Sequence, residues 1–162
     1  MFDFILTALE YLAGRGLPIL LGAAAFWLVR RLLIRRGALA GGGRAHEAGV
    51  LAFALYAAAV LSLTYLPLRP MSEGGFTFDS TIWGILTGTY TAGPWIYTMM
   101  AANVVMFLPL GFLAGLLWRQ RAWQTLALCL GATLCIELLQ PLAGRSFDVD
   151  DILLNFLGGA LG

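Results

Sequence analysis

The sequence predicts an all-α fold: a polytopic membrane helix bundle of four full spans plus a fifth helix truncated at the C-terminus. Three observations carry this expectation. Of the 162 residues, 60% are hydrophobic and only 12% are charged, against roughly 25% charged in soluble domains. Several stretches hold about 20 residues with almost no charge, the length a helix needs to cross a hydrocarbon core of about 30 Å. All ten cations are arginine, and they gather at the ends of the apolar stretches. Disorder, which requires low hydrophobicity, is excluded. A net charge of +1 leaves no electrostatic footprint for nucleic acid. Two cysteines exclude a disulfide scaffold. The length fits one compact bundle.

The elements follow in chain order. Met1 to Gly14 lacks a basic leading region and runs straight into Arg15, unlike a cleaved signal peptide. It reads as an interfacial turn or as an extension of the first span. That span runs from Leu17 to about Ile34, and Arg30 and Arg31 at its end must snorkel toward the interface. His46, in the loop that follows, is expected to be solvated. The second span, Ala48 to Leu66, has 19 residues and no charge. In the loop from Pro67 to Pro94, Phe76, Phe78, Ile82, Trp83, Ile85, Leu86 and Tyr90 are too apolar for a solvated connection. They predict a short helix in the headgroup region with Asp79 as N-cap, either capping the bundle or gripping a ligand. The third span runs from about Trp95 to Trp118, with Asn103 polar and Pro109 expected to kink it.

The fourth span, from about Ala122 to Pro141, carries Glu137 and Gln140. Its two cysteines, Cys129 and Cys135, read as small buried residues without redox or metal roles. A fifth helix starts near Asp151. Ile152 to Gly162 would give about 16 Å of helix, short of the membrane core, so this helix is expected to continue past Gly162 or to be re-entrant. The chain thus divides into residues 1–94, with two spans and the aromatic loop, and residues 95–162, with the polar core.

Seven arginines (Arg30, Arg31, Arg35, Arg36, Arg44, Arg119, Arg121) fall in the loops after spans one and three, and three (Arg15, Arg69, Arg145) on the other side. The positive-inside rule then puts the N-terminus, the aromatic loop and residues 142–150 outside a plasma membrane. On that topology Asn103, Glu137, Gln140, Asp151 and Asn155 all lie toward the outer leaflet, on three separate elements. Unpartnered amides and carboxylates cost several kcal/mol in hydrocarbon, so they are expected to meet. Arg145 is a natural partner for Glu137 or an aspartate, and Asp148 and Asp150 suit the start of a helix. Asp151, Asn155, Gly158 and Gly162 share one helical stripe. Gly158 with Gly162, and Gly111 with Gly115, have the spacing that lets membrane helices approach closely.

Asn103, then Phe107-Leu108-Pro109-Leu110-Gly111-Phe112, then Glu137 and Gln140, then Gly144-Arg145-Ser146-Phe147-Asp148, Asp150-Asp151, Asn155, Gly158 and Gly162 together resemble the VanZ-like family. The resemblance covers about residues 95–162 and is most specific in the final block. The Asn-Leu-x-Pro-Phe segment that many relatives carry in the outer loop is replaced here by Phe78-Asp79-Ser80. The family is named for a teicoplanin-resistance accessory protein. The resemblance implies a bacterial-type plasma-membrane protein acting at the cell envelope, and carries no reaction with it.

The leading functional expectation is an envelope protein that binds a lipid-linked or amphiphilic ligand, such as a cell-wall precursor or a glycopeptide. Arg145 would meet a phosphate or carboxylate, and Asn103, Glu137, Gln140, Asp148, Asp150, Asp151 and Asn155 would line the site. An intramembrane enzyme is the alternative, with Glu137 as acid or base and the aspartates on Mg²⁺ or Ca²⁺. No base-activated nucleophile supports it, and neither cofactor nor metal is expected. A proton-coupled transporter would titrate Glu137, but the inner half lacks polar residues for a path. The last reading is a purely structural polar clasp. Membrane lipids are the expected surroundings. Nucleic acid is not an expected partner, and the oligomeric state is left open.

Overall fold

A computed structural model describes Gly14 and residues 16–65, 76–77, 80–118, 121–143 and 146–162. It is almost wholly helical, and four of its helices are long and apolar enough to cross a membrane. The chain separates into two compact units, Met1–Leu66 and Pro67–Gly162. The expectations for the first 13 residues, and those resting on Arg15, Arg69, Phe78, Asp79, Arg119 and Arg145, lie outside the described residues.

The first unit is an antiparallel hairpin of α1 (Gly16–Arg35) and α2 (Arg44–Tyr65). α1 ends in a Schellman turn: Gly37 takes φ +70°, its N–H bonds the Ile34 carbonyl at 3.0 Å, and the Ala38 N–H bonds that of Leu33 at 2.9 Å. Only glycine takes that positive φ without a steric cost. Ala23 and Ala54 are buried along the pairing, where small residues let backbones approach. Arg30 does more than snorkel. Its guanidinium forks onto Glu47 across the hairpin, at 2.8 and 3.2 Å. Arg31 stacks over Trp27, one turn back, with 4.6 Å to the ring centroid. α2 begins at Arg44, so His46 lies half-buried in its first turn and not in a solvated loop.

The second unit begins with a two-residue strand, β1 (Phe76–Thr77), and a short helix, α3 (Thr81–Leu86). The expected helix is present, but its N-cap is Ser80, whose hydroxyl accepts the Trp83 N–H at 3.0 Å. Serine caps as well as aspartate does, and it stands one residue closer to the first turn. α4 (Pro94–Trp118) runs unbroken through Pro109, although proline leaves the carbonyl one turn back without its usual donor. α5 (Ala122–Leu139) starts with the Gln124 side chain accepting the Arg121 N–H at 2.9 Å. It gives way to a 3₁₀ turn, Gln140–Ala143, because Pro141 lacks the N–H that would continue the α ladder, while Gln140 before it keeps αR dihedrals, φ -57° and ψ -42°.

The chain then forms β2 (Phe147–Asp148), which pairs in parallel with β1, and closes with α6 (Val149–Leu161). α6 packs most extensively on α4 and next on α5. It runs parallel to α4 and antiparallel to α5. The faces of all three helices turned away from this seam carry exposed leucines, phenylalanine and tryptophans, as contact with acyl chains requires. Cys129 is buried, but Cys135 is exposed on that outer surface. At six residues apart the two point in different directions, and only Cys129 faces the seam.

Candidate functional site

At one end of the second unit, the N-terminal half of α4, the C-terminal end of α5 and the start of α6 bring their polar side chains together. The Asn103 amide of α4 donates to the Asp151 carboxylate of α6. Glu137, 1% exposed near the end of α5, accepts the Asp148 N–H at 3.3 Å. The Gln140 amide nitrogen donates to Glu137 Oε2 at 3.0 Å and to the Ser146 carbonyl at 2.9 Å. The Ser146 carbonyl and the Glu137 carboxylate thus share the Gln140 amide at the break after α5. Asn103, Glu137, Gln140, Asp148, Asp150 and Asp151 thus belong to one cluster.

The three aspartates divide their work. Asp148 is the N-cap of α6 and accepts the Asp150 N–H at 2.8 Å. Asp150, buried, reaches the other way: Ser80 donates its hydroxyl to Oδ1, and the Ile82 N–H donates to Oδ2 at 3.0 Å. It thereby neutralises an open amide and the positive end of α3. Asp151 holds α4. Burial pushes the Asp148 carboxyl above the usual carboxylate range, and the nearby Asp150 charge adds to the rise, while hydrogen bonds from the Asp150 and Asp151 N–H groups oppose it. Trp83, Leu86 and Tyr90 stay exposed around α3, where an apolar ligand tail or the headgroup region would meet them.

Below this end the interface tightens. A Cβ at Gly158 would overlap the Val104 carbonyl, one at Gly162 the Leu108 carbonyl, and one at Gly111 the Gly159 carbonyl. Gly115 departs from the expected pairing: it is exposed, with open space beside it. The spacing had placed it on one face with Gly111, but α6 passes along a neighbouring line. Asn155 is buried, 3% exposed, and its Oδ1 has no hydrogen-bond partner among the described residues. Thr133 Oγ1 on α5, fully buried, is in the same condition. Asn155 is therefore near the polar cluster in sequence and depth, but among the described residues its Oδ1 is not hydrogen-bonded into it.

The model of the VanZ/LLP1 family matches residues 53–162, more than half of the chain. The chain belongs to the VanZ/LLP1 family. No curated protein and no solved structure matches it. The matched region reaches back into α2, beyond the residues 95–162 that carry the sequence resemblance. In this VanZ-like protein the motif residues Asp148, Asp150 and Asp151 prove to be the hinge of the cluster, each tied to a different element. Arg145, the expected anion contact, lies outside the described residues.

Two contributors were not foreseen from the sequence. Ser80 was given no role from the sequence, where the cap was expected at Asp79, and nothing in its neighbourhood signals a partner 70 positions away. Thr133 had a signal: with Cys129 and Glu137 it forms an i, i+4, i+8 row, and all three prove buried on one face of α5. Chemically, the cluster offers carboxylate and amide oxygens in a low-dielectric setting, suited to hydroxyl, amide or cationic groups.

Proposed function

We propose that this VanZ-like protein acts at the cell envelope by receiving the polar head of a lipid-linked or amphiphilic ligand at the acidic end of α4, α5 and α6. That end would face out of the plasma membrane, with the N-terminus also outside, as the arginine distribution requires. The observation that carries this reading is the burial of Glu137 within a spanning helix, gathered with Gln140, Asp148 and Asp151 at one end of the unit. A carboxylate at such a depth is expensive and marks a functional site by default. Arg145 supplies the anion contact, and the exposed aromatic groups of α3 cover the acyl or polyprenyl part. A bearing on teicoplanin susceptibility follows from such a ligand and is read as a change in inhibitory concentration.

The deciding measurement is binding of polyprenyl phosphate to the full chain in neutral detergent. A hydrogen bond to a charged group is worth about 1.5–3 kcal/mol, so Arg145→Ala should weaken binding roughly 10- to 150-fold. Equal binding by both proteins overturns the reading. One observation favours a second reading, a structural clasp: every aspartate of the cluster already has a partner within the chain. In that case Asn103→Ala and Asp151→Ala lower the amount of folded protein in the membrane, whereas a ligand site leaves abundance normal and binding impaired.

A further inference from the structure

We propose that the end of the hairpin where α1 meets α2 is a docking surface for the headgroups of anionic phospholipids, with Arg31 and Arg35 as its principal contacts. The first observation is charge. Residues 16–65 hold five arginines, Arg30, Arg31, Arg35, Arg36 and Arg44, against a single carboxylate, Glu47. Arg30 takes up that carboxylate, forking onto it at 2.8 and 3.2 Å, so the pair is close to neutral and four positive charges remain. Arg31, Arg35, Arg36 and Arg44 are all exposed. None of them pairs with a carboxylate among the described residues. Clustered arginines beside the end of a spanning helix are what attracts the phosphates of anionic lipids.

The second observation is position. The bridge from Arg30 to Glu47 sets the two helices of the hairpin at one level. At 1.5 Å per residue, Arg31 stands about 1.5 Å and Arg35 about 7.5 Å beyond that level along α1, and Arg44 about 4.5 Å beyond it along the antiparallel α2. The three fall within a band about as thick as one headgroup layer, roughly 5–8 Å. On the other side of the bridge Leu28 and Val29 are exposed, as contact with acyl chains requires. Arg31 and Arg35 are one turn apart on α1, with Cβ atoms about 5–6 Å from each other, so both can reach one phosphate. Trp27 lies under the Arg31 guanidinium, an aromatic group of the kind that settles at the membrane interface. Leu32, Leu33 and Leu39 are exposed among the arginines. The surface therefore offers charge and apolar contact together, which suits an amphiphile; a nucleic acid or an acidic protein would match the charge and not the leucines. The inference stands apart from the ligand reading, because the surface lies wholly within the first unit.

The test is thermal unfolding of the full chain in neutral detergent at constant ionic strength, titrated separately with phosphatidylglycerol, phosphatidylcholine and inorganic phosphate. Phosphatidylglycerol should raise the melting point by several degrees in a saturable way, and the other two should not. Arg31→Gln and Arg35→Gln alter exposed side chains and remove one charge each. Either should raise the half-saturating phosphatidylglycerol concentration about fivefold, and the two together about 30-fold. Arg31→Lys with Arg35→Lys keeps both charges and should stay within a few-fold of the wild type. An equal response to phosphatidylcholine overturns the proposal, as does a shift of the same size with inorganic phosphate. So does a phosphatidylglycerol response that is unaltered when both arginines are replaced by glutamine, which would place the lipid elsewhere on the chain. A loss with lysine as large as that with glutamine overturns it too.

Discussion

Asp148 carries two opposed demands, and they make it the residue whose titration is easiest to isolate. It caps α6 through the Asp150 N–H, which favours an acceptor oxygen, while burial disfavours its charge. With its carboxyl pushed up, the folded chain holds the proton more tightly than the unfolded chain does. Its contribution is therefore most favourable in acid and is lost as pH rises through the raised value. Asparagine caps a helix about as well as aspartate and does not titrate. The melting point of Asp148→Asn relative to the wild type should therefore climb as pH rises from the ordinary carboxylate range upward. A flat or falling difference rejects the assignment. At this scale the sequence was legible in kind and not in pairing. The cost of burying Asn103, Glu137 and Asp151 predicts that they meet, but nothing local tells that Asp150 turns to Ser80 and Ile82, or that Arg30 finds Glu47.

Between elements, the contact of α4 with α6 depends on the absence of side-chain atoms. Gly111 and Gly158 each face a carbonyl of the opposing backbone, and a backbone cannot rotate out of the way as a side chain can. Gly111→Ala and Gly158→Ala should each destabilise the folded protein by about 1–3 kcal/mol, the range for overpacking. This would be net of the gain of up to about 1 kcal/mol that alanine brings to a helix interior. Gly115→Ala, in the same helix and at the same repeat, meets open space and should be neutral or stabilising. Equilibrium unfolding of the three variants in detergent compares them, and equal losses at Gly115 and Gly111 would refute the packing. The spans themselves were readable from hydropathy to within a few residues, and so was the glycine stripe of α6. What the repeat could not reveal is direction. A four-residue spacing says which residues share a face, while the neighbour that the face meets is a tertiary fact.

For the whole molecule, the arginines decide what the acidic end can reach. Seven lie in or beside the connections after spans one and three, and the structure shows two of these engaged near the end of α1, Arg30 with Glu47 and Arg31 with Trp27. Engagement does not remove them from the count, because the rule concerns lysine and arginine and not net charge. Both loops should therefore lie in the cytoplasm. Residue 40, exposed between α1 and α2, and Leu142, 84% exposed in the 3₁₀ turn beside Gln140, should then lie on opposite sides. In a Cys129→Ala, Cys135→Ala background, a membrane-impermeant maleimide applied to intact cells should label Leu142→Cys and spare Ala40→Cys, with both labelled once the membrane is opened. The reverse pattern would turn Glu137, Asp148 and Asp151 toward the cytoplasm. A lipid-linked precursor displayed on the outer face could then no longer be the ligand.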